Sequence, residues 1–436
     1  MKRTLAVLNH FLNQSFYLLK KWGVLFLIIL ILVMAGIKRE CQFQAAYISK
    51  KDALEDYDYM WNMLENNYPL LDMAERKYSL SMDALKENYR NQIDALNGKI
   101  NFEVYYSLLQ SCIEHFQQLG HLSVLTPAQV TNIIHSTELA EQNHGHAGLD
   151  QYQYQYRLCN DPFVKARYDF LEDLQEHKEQ TNNVTPKGAG NLEFKEINEE
   201  TGYVKIKSFN TRHLADDAQR LDNWFKHNSG RKNMIIDITG NGGGTSQYWQ
   251  DLIVAPNINE ELRYGFYYIT QYGEETREQF AIDGVYEKDL STQLDDLLYL
   301  PEIDEKNLQK VTYYGTASDT ISPSGEYKNS NTRFFLLVDR GVYSAADTFA
   351  MFCKETGFAT VIGENTGGDG AGLNVYLVKL PKSNLLIRFR AMHGLNVDGS
   401  SNIEFGTTPD VIFKGVSRKN VSYLGVCMDY IESLEE

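Results

Sequence analysis

The stretch from Phe334 to Gly372 constrains the fold more than any other part of this chain. An apolar run, Phe334 to Val338, reads as a buried strand, and a second short one, Ala359 to Ile362, follows it. Between them Ser344 leads into Ala345, Ala346, Asp347, Thr348, Phe349, Ala350 and Met351, an amphipathic helix start. A glycine-rich turn, Gly363 to Gly372, closes the unit. Strands alternating with a helix in this way belong to an α/β domain. A serine between strand and helix sits where the first helical N–H groups point outward and can hold an anion. That geometry suits a nucleophile whose product is an oxyanion. It suits a plain N-cap equally well, so the rest of the chain has to decide.

Residues 193–416 carry further pieces of the same domain. Gly202 to Phe209 alternates as a strand, Leu214 to His227 is an amphipathic helix, and Met234 to Ile238 is an apolar strand. The last runs into Thr239-Gly240-Asn241-Gly242-Gly243-Gly244 and a helix from Ser246 to Ile253. Strand, glycine turn and helix make a backbone anion site. The turn lacks dinucleotide-type glycine spacing and the Lys-Ser/Thr of a phosphate loop. An oxyanion hole and a tight turn therefore remain. Residues 256–331 are aromatic and charged with weak periodicity, and read as a substrate-facing insertion or a cap. Ile387 to Arg390 reads as a late strand, Asn402 to Asp410 as a loop ending the sheet, and residues 417–436 as a tail with a closing helix.

The N-terminal part is different. Lys51 to Leu125 has apolar residues at helical spacing, among them Tyr57, Met60, Trp61 and Leu64, and reads as a helical domain. Its pattern turns from helical to alternating at Gly120-His121, which ends a helix and starts a strand. Residues 126–192 are polar and read as a solvated connector, too short and too polar for a further binding domain. Its His135, His144 and His146 lack convincing ligand spacing, so no metal or cofactor is expected. Trp22 to Ile37 is uncharged and flanked by Lys20, Lys21, Lys38 and Arg39. We read residues 22–37 as an uncleaved transmembrane signal anchor, with residues 1–21 cytoplasmic, residues 38–50 a linker and the rest extracytoplasmic. The five cysteines are scattered and indicate neither a disulfide framework nor a zinc site. With 42 basic and 58 acidic residues the net charge is −16, which argues against a nucleic-acid partner. The oligomeric state is not legible.

Taken in order, GYVKIKSF at 202–209, IIDITGNGGG at 235–244, YSAADTFA at 343–350, VIGENTGGDG at 361–370 and EFGTTPD at 404–410, with LGH at 119–121, resemble the tail-specific (C-terminal-processing) and tricorn-core serine peptidases. The resemblance implies an α/β fold with a crotonase-like ββα spiral core, an N-terminal helical domain and a peptide or protein substrate. Tail-specific members use a lysine base on the turn where this chain has Asp369, and an aspartate cannot act as a neutral-amine base. The tricorn-like arrangement instead implies Ser344 as nucleophile, His121 as base and Glu404 as the carboxylate that orients it. It implies oxyanion donors at Gly243 and Ala345, and substrate contacts at Gly244, Thr366 and Gly367. A serine that relays histidine to glutamate in tricorn is replaced here by Gly120, which leaves Ser123, water or a direct contact as the relay. The alternative is a non-catalytic ligand- or peptide-binding protein on the same fold.

Overall fold

The structure, a computed structural model, describes residues 46–144, 150–179, 190–324, 331–413 and 422–435. The segment 22–37 read as a membrane span lies outside these. Among the described residues no helix is long and apolar enough to cross a membrane.

Two short strands, β1 (Tyr47–Ser49) and β2 (Lys99–Asn101), pair at the N-terminal end. Around them lie α1 (Lys50–Asn67), α2 (Leu71–Tyr78), α3 (Met82–Ala95) and α4 (Phe102–Glu114). Ser49 caps α1 through Asp52 N–H and Ser81 caps α3 through Ala84 N–H, satisfying donors that a helix start leaves open. The inward faces of α1 and α4 bury Tyr57, Trp61, Leu64, Tyr105 and Leu109 completely.

The stretch read as a solvated connector is helical instead: α5 (Pro127–His144), α6 (Asp150–Cys159) and α7 (Pro162–Glu179). Their polarity is on the outside. Val130, Cys159, Val164, Tyr168 and Leu171 point inward and belong to the same core as the first four helices. A low apolar fraction hid a narrow buried stripe, which is all that a surface helix needs.

The α/β part is built on six strands: β4 (Leu192–Glu196), β5 (Thr201–Ile206), β6 (Asn233–Asp237), β9 (Arg333–Val338), β10 (Ala359–Gly363) and β14 (Val411–Ile412), whose order in the sheet is β14-β10-β9-β6-β5-β4. All neighbours run parallel except the β4–β5 pair at the edge. The central strands are apolar on both faces, as parallel strands covered on both sides must be. One face packs on α8 (Leu214–His227) and α9 (Ala345–Thr356), the other on α10 (Tyr423–Ser433).

The described part of residues 256–331 is built around β7 (Leu262–Thr270) and β8 (Tyr313–Ile321), which pair antiparallel over nine residues, with β13 (His393–Leu395) on the far edge. Along β7 every second side chain from Tyr264 to Tyr268 is buried, but short helical turns between the two strands break the sequence signal.

The element that matters most for the site is the smallest. β3 (Ser123–Val124) leaves the helical region and pairs antiparallel with β12 (Leu386–Phe389), which pairs in turn with β11 (Tyr376–Lys379). The ladder is extended by Arg390 N–H to Gly120 O at 2.7 Å and Leu125 N–H to Leu386 O at 2.9 Å. The helical region and the C-terminal hairpin consequently share one hydrophobic core, which includes Tyr68, Phe116, Leu386, Ile387 and Phe389. Asp56 of α1 adds two hydrogen bonds to the hairpin turn, from Lys382 N–H at 2.7 Å and Ser383 N–H at 2.6 Å. The region read as a separate helical domain is thus a structural part of the α/β unit.

Candidate active site

Ser344 occupies the junction between β9 and α9 with φ 57° and ψ −128°. This conformation is costly for a residue with a Cβ, and it persists only where the surroundings impose it. Here Ser344 N–H donates to Gly368 O at 3.0 Å and Tyr343 N–H to Asn241 O at 3.1 Å, so two glycine turns hold the elbow.

His121 reaches the serine from the other end of the chain. Gln117, Gln118, Gly120 and His121 all have positive φ, and this tight turn swings the imidazole out ahead of β3. Gly120 is required twice. Its φ is +56°, and a Cβ there would lie 2.5 Å from Leu70 Cδ1. His121 Nε2 lies 3.2 Å from Ser344 Oγ. The same nitrogen lies 3.0 Å from Asp369 Oδ2. Asp369 also has positive φ, so three of the non-glycine residues in this strained region meet at one point.

Asp369 is buried and held from several sides. Arg390 Nε stands 2.6 Å from its Oδ1 in an ion pair, and Tyr343 O–H donates to Oδ2 at 2.9 Å. Burial alone would raise this carboxyl's pKa, but Arg390 and then His121 outweigh it and bring it down to about 2. Burial is also the main influence on His121 and lowers its pKa. Asp369 acts against that shift, whereas Arg388 and Arg390 add to it. The imidazole is therefore neutral near pH 7, as a general base must be.

Glu404 does not join this group. Among the described residues, no hydrogen bond or ion pair links it to His121. It lies in a one-turn helix, Asn402–Phe405, partly exposed, and the charge that feels it is Lys77. The inward place is taken two residues earlier by Asn402, which accepts from Gly370 and Ala371 N–H and donates to Asp347 Oδ2. Residues two apart on a helix do not share a face. The carboxylate against His121 is Asp369, in the position where the resemblance has a lysine. Ser123 is no relay either, since its hydroxyl donates to the His121 carbonyl at 3.2 Å.

The remaining expected residues divide in the same way. Gly243 N–H donates to Asn241 Oδ1 at 2.9 Å, so it is committed elsewhere. Gly244 and Ala345 both line the cavity of about 430 Å³ that opens on Ser344, and their N–H groups carry no hydrogen bond among the described residues. Thr366 and Gly367 are structural. The Thr366 hydroxyl donates to Asp347, and Gly367 N–H donates to Val342 O at 2.7 Å. Asp347, in the first turn of α9, is fully buried. It also accepts from Thr407 Oγ1 at 2.7 Å and from Gly370 N–H at 2.9 Å, pinning the loop that carries Asp369. The lysines closest in sequence to the elbow and turn pair at the surface, Lys354 with Asp410 and Lys379 with Asp161.

Solved structures of this shape include a putative peptidase from Parabacteroides merdae, 18% identical, covering 88% of this chain and 97% of that one with a TM-score of 0.51. A second is mature CPAF complexed with lactacystin, 11% identical, covering 88% and 97% with a TM-score of 0.52. At these identities they attest to the fold alone. Among curated proteins none matches. The family model described as peptidase family S41 matches residues 200–413, which hold both glycine turns, the serine elbow and Asp369, and the chain belongs to that family of serine peptidases.

Proposed function

We propose that this chain hydrolyses peptide bonds through an acyl-enzyme on Ser344, with His121 as the general base. The observation that carries the reading is the 3.2 Å separation of Ser344 Oγ and His121 Nε2 at a strained elbow that starts a helix. In this reading Nε2 takes the hydroxyl proton as Oγ attacks the scissile carbonyl, and returns it to the leaving amine. Asp369 meets the same ring nitrogen as the serine, so it does not set the tautomer through Nδ1. Its effect is on charge: once Nε2 is protonated, the N–H donates to Oδ2 and the imidazolium is stabilised. Arg390 keeps that carboxylate ionised. The N–H groups of Ala345 and Gly244 serve as oxyanion donors, with one such donor worth about 3 kcal/mol in the transition state.

A membrane location is part of the same proposal. The uncharged run at 22–37, with cationic residues on both sides, supports a single-pass anchor with the peptidase outside the cytoplasm. Retention of the full-length protein in the membrane pellet after alkaline carbonate extraction tests it, and release into the supernatant contradicts it.

For the chemistry, the test is covalent labelling by a small fluorophosphonate. Ser344 should label in the natural protein, with labelling abolished in Ser344→Ala and reduced by at least two orders of magnitude in His121→Ala. Labelling that continues unchanged without His121 refutes the assignment of the base. A folded natural protein that never labels points to the binding-protein alternative.

A further inference from the structure

A second cavity, of about 330 Å³, adjoins the one at Ser344, and Tyr152, Gly244, Thr245, Asn374 and Val375 line both. One wall comes from α5 and α6 through Gln129, Asn132, Gln151 and Gln155. The helices that the sequence disguised as a connector therefore form one side of a groove leading away from the nucleophile.

Among the fifteen residues lining this second cavity Arg388 alone is charged. It lies on β12 opposite Ser123, two residues after His121. Among the described residues no hydrogen bond or ion pair engages its guanidinium. The carboxylate that exerts the most attraction on it, Asp369, is already held by Arg390, His121 and Tyr343. Burial lowers the pKa of Arg388, and Arg390 acts in the same direction. A half-buried cation without a partner is unfavourable, and an anion entering the cavity relieves it.

We propose that Arg388 is a carboxylate-binding subsite of the cleft, which holds a carboxylate of the bound peptide. The carboxylate is either the free C-terminus or an Asp or Glu side chain. A planar guanidinium takes a carboxylate through two parallel hydrogen bonds, and the neutral lining elsewhere leaves the choice of substrate charge to this one residue. The inference rests on the peptidase reading for what the groove is for, but its test does not depend on catalysis.

Fluorescein-labelled hexapeptides of neutral sequence, in three forms, are titrated against the Ser344→Ala protein by fluorescence anisotropy. The forms are a free acid, a C-terminal amide, and an amide carrying one internal Glu. One carboxylate form should bind about ten- to hundredfold more tightly than the neutral amide, and which one it is identifies the source. The preference should vanish in Ser344→Ala/Arg388→Gln and persist in part in Ser344→Ala/Arg388→Lys, which keeps the charge without the fork. Equal binding of all three forms, absence of binding, or a preference that survives Arg388→Gln overturns the proposal. A urea midpoint of Ser344→Ala/Arg388→Gln close to that of Ser344→Ala reports that the variant is folded. Carboxylate-selective binding by a protein that never labels at Ser344 would leave the subsite standing and remove the peptidase reading.

Discussion

Replacing Asp369 by Asn tests what the buried carboxylate does, because the two side chains have the same shape. The carboxylate lies 3.0 Å from His121 Nε2. At an effective dielectric of roughly 20, a unit charge at that separation stabilises the imidazolium by about 5 kcal/mol. The amide oxygen of Asn retains a hydrogen bond worth about 1 kcal/mol. The remaining loss of about 4 kcal/mol corresponds to about a thousandfold in kcat. The substitution also strands Arg390, whose side chain is only 5% exposed. An unpaired buried charge of this kind costs about 3–5 kcal/mol of stability. The two effects separate in Asp369→Asn/Arg390→Met, where no charge is left without a partner. The double variant should regain most of its urea midpoint but none of the lost kcat, measured on a peptide that the natural protein cleaves. If the double variant is stable and its kcat lies within tenfold of the natural value, the carboxylate does not stabilise the imidazolium and the reasoning fails.

Two further outcomes follow from the same geometry. Because burial, Arg388 and Arg390 all lower the pKa of His121, the acid limb of kcat/KM should fall below the ordinary histidine value of about 6.5. Asp369 opposes that shift, so Asp369→Asn should move the limb to still lower pH, and a move upward contradicts the charge assignment. Gly120→Ala introduces a Cβ 2.5 Å from Leu70 Cδ1 at a φ of +56°, and should cost about 1–3 kcal/mol in urea denaturation, whereas an unchanged midpoint would show that the turn before His121 is not tightly packed.

The serine elbow was legible because its residues are contiguous. Strand, turn, serine and helix follow one another in sequence, and each is specified by local periodicity. His121 was legible only through the resemblance, since nothing local distinguishes it from a histidine at a helix end. The carboxylate was misassigned for an instructive reason. Asp369 was tested for a lysine's role and set aside, while the resemblance supplied Glu404. The signal that could have corrected this is Arg390, a cation at the end of an apolar strand, which needs a buried anion nearby. The helices at 126–179 were missed because they are polar on their outer faces and their buried stripe is thin.

By itself, the amino-acid sequence determined the elements that periodicity and glycine placement specify: the apolar strands, the amphipathic helices, the two glycine turns and the serine at a strand-to-helix junction. The tertiary structure decided how distant segments meet. The two-residue strand β3 adds to the C-terminal hairpin and carries His121 across to Ser344. Asp347 pins the loop that aims Asp369, and α5 and α6 wall the groove where Arg388 lies. These are contacts between residues far apart in the chain. They depend on burial and on which charges are left to pair once the core has closed, and no local pattern in the sequence records that.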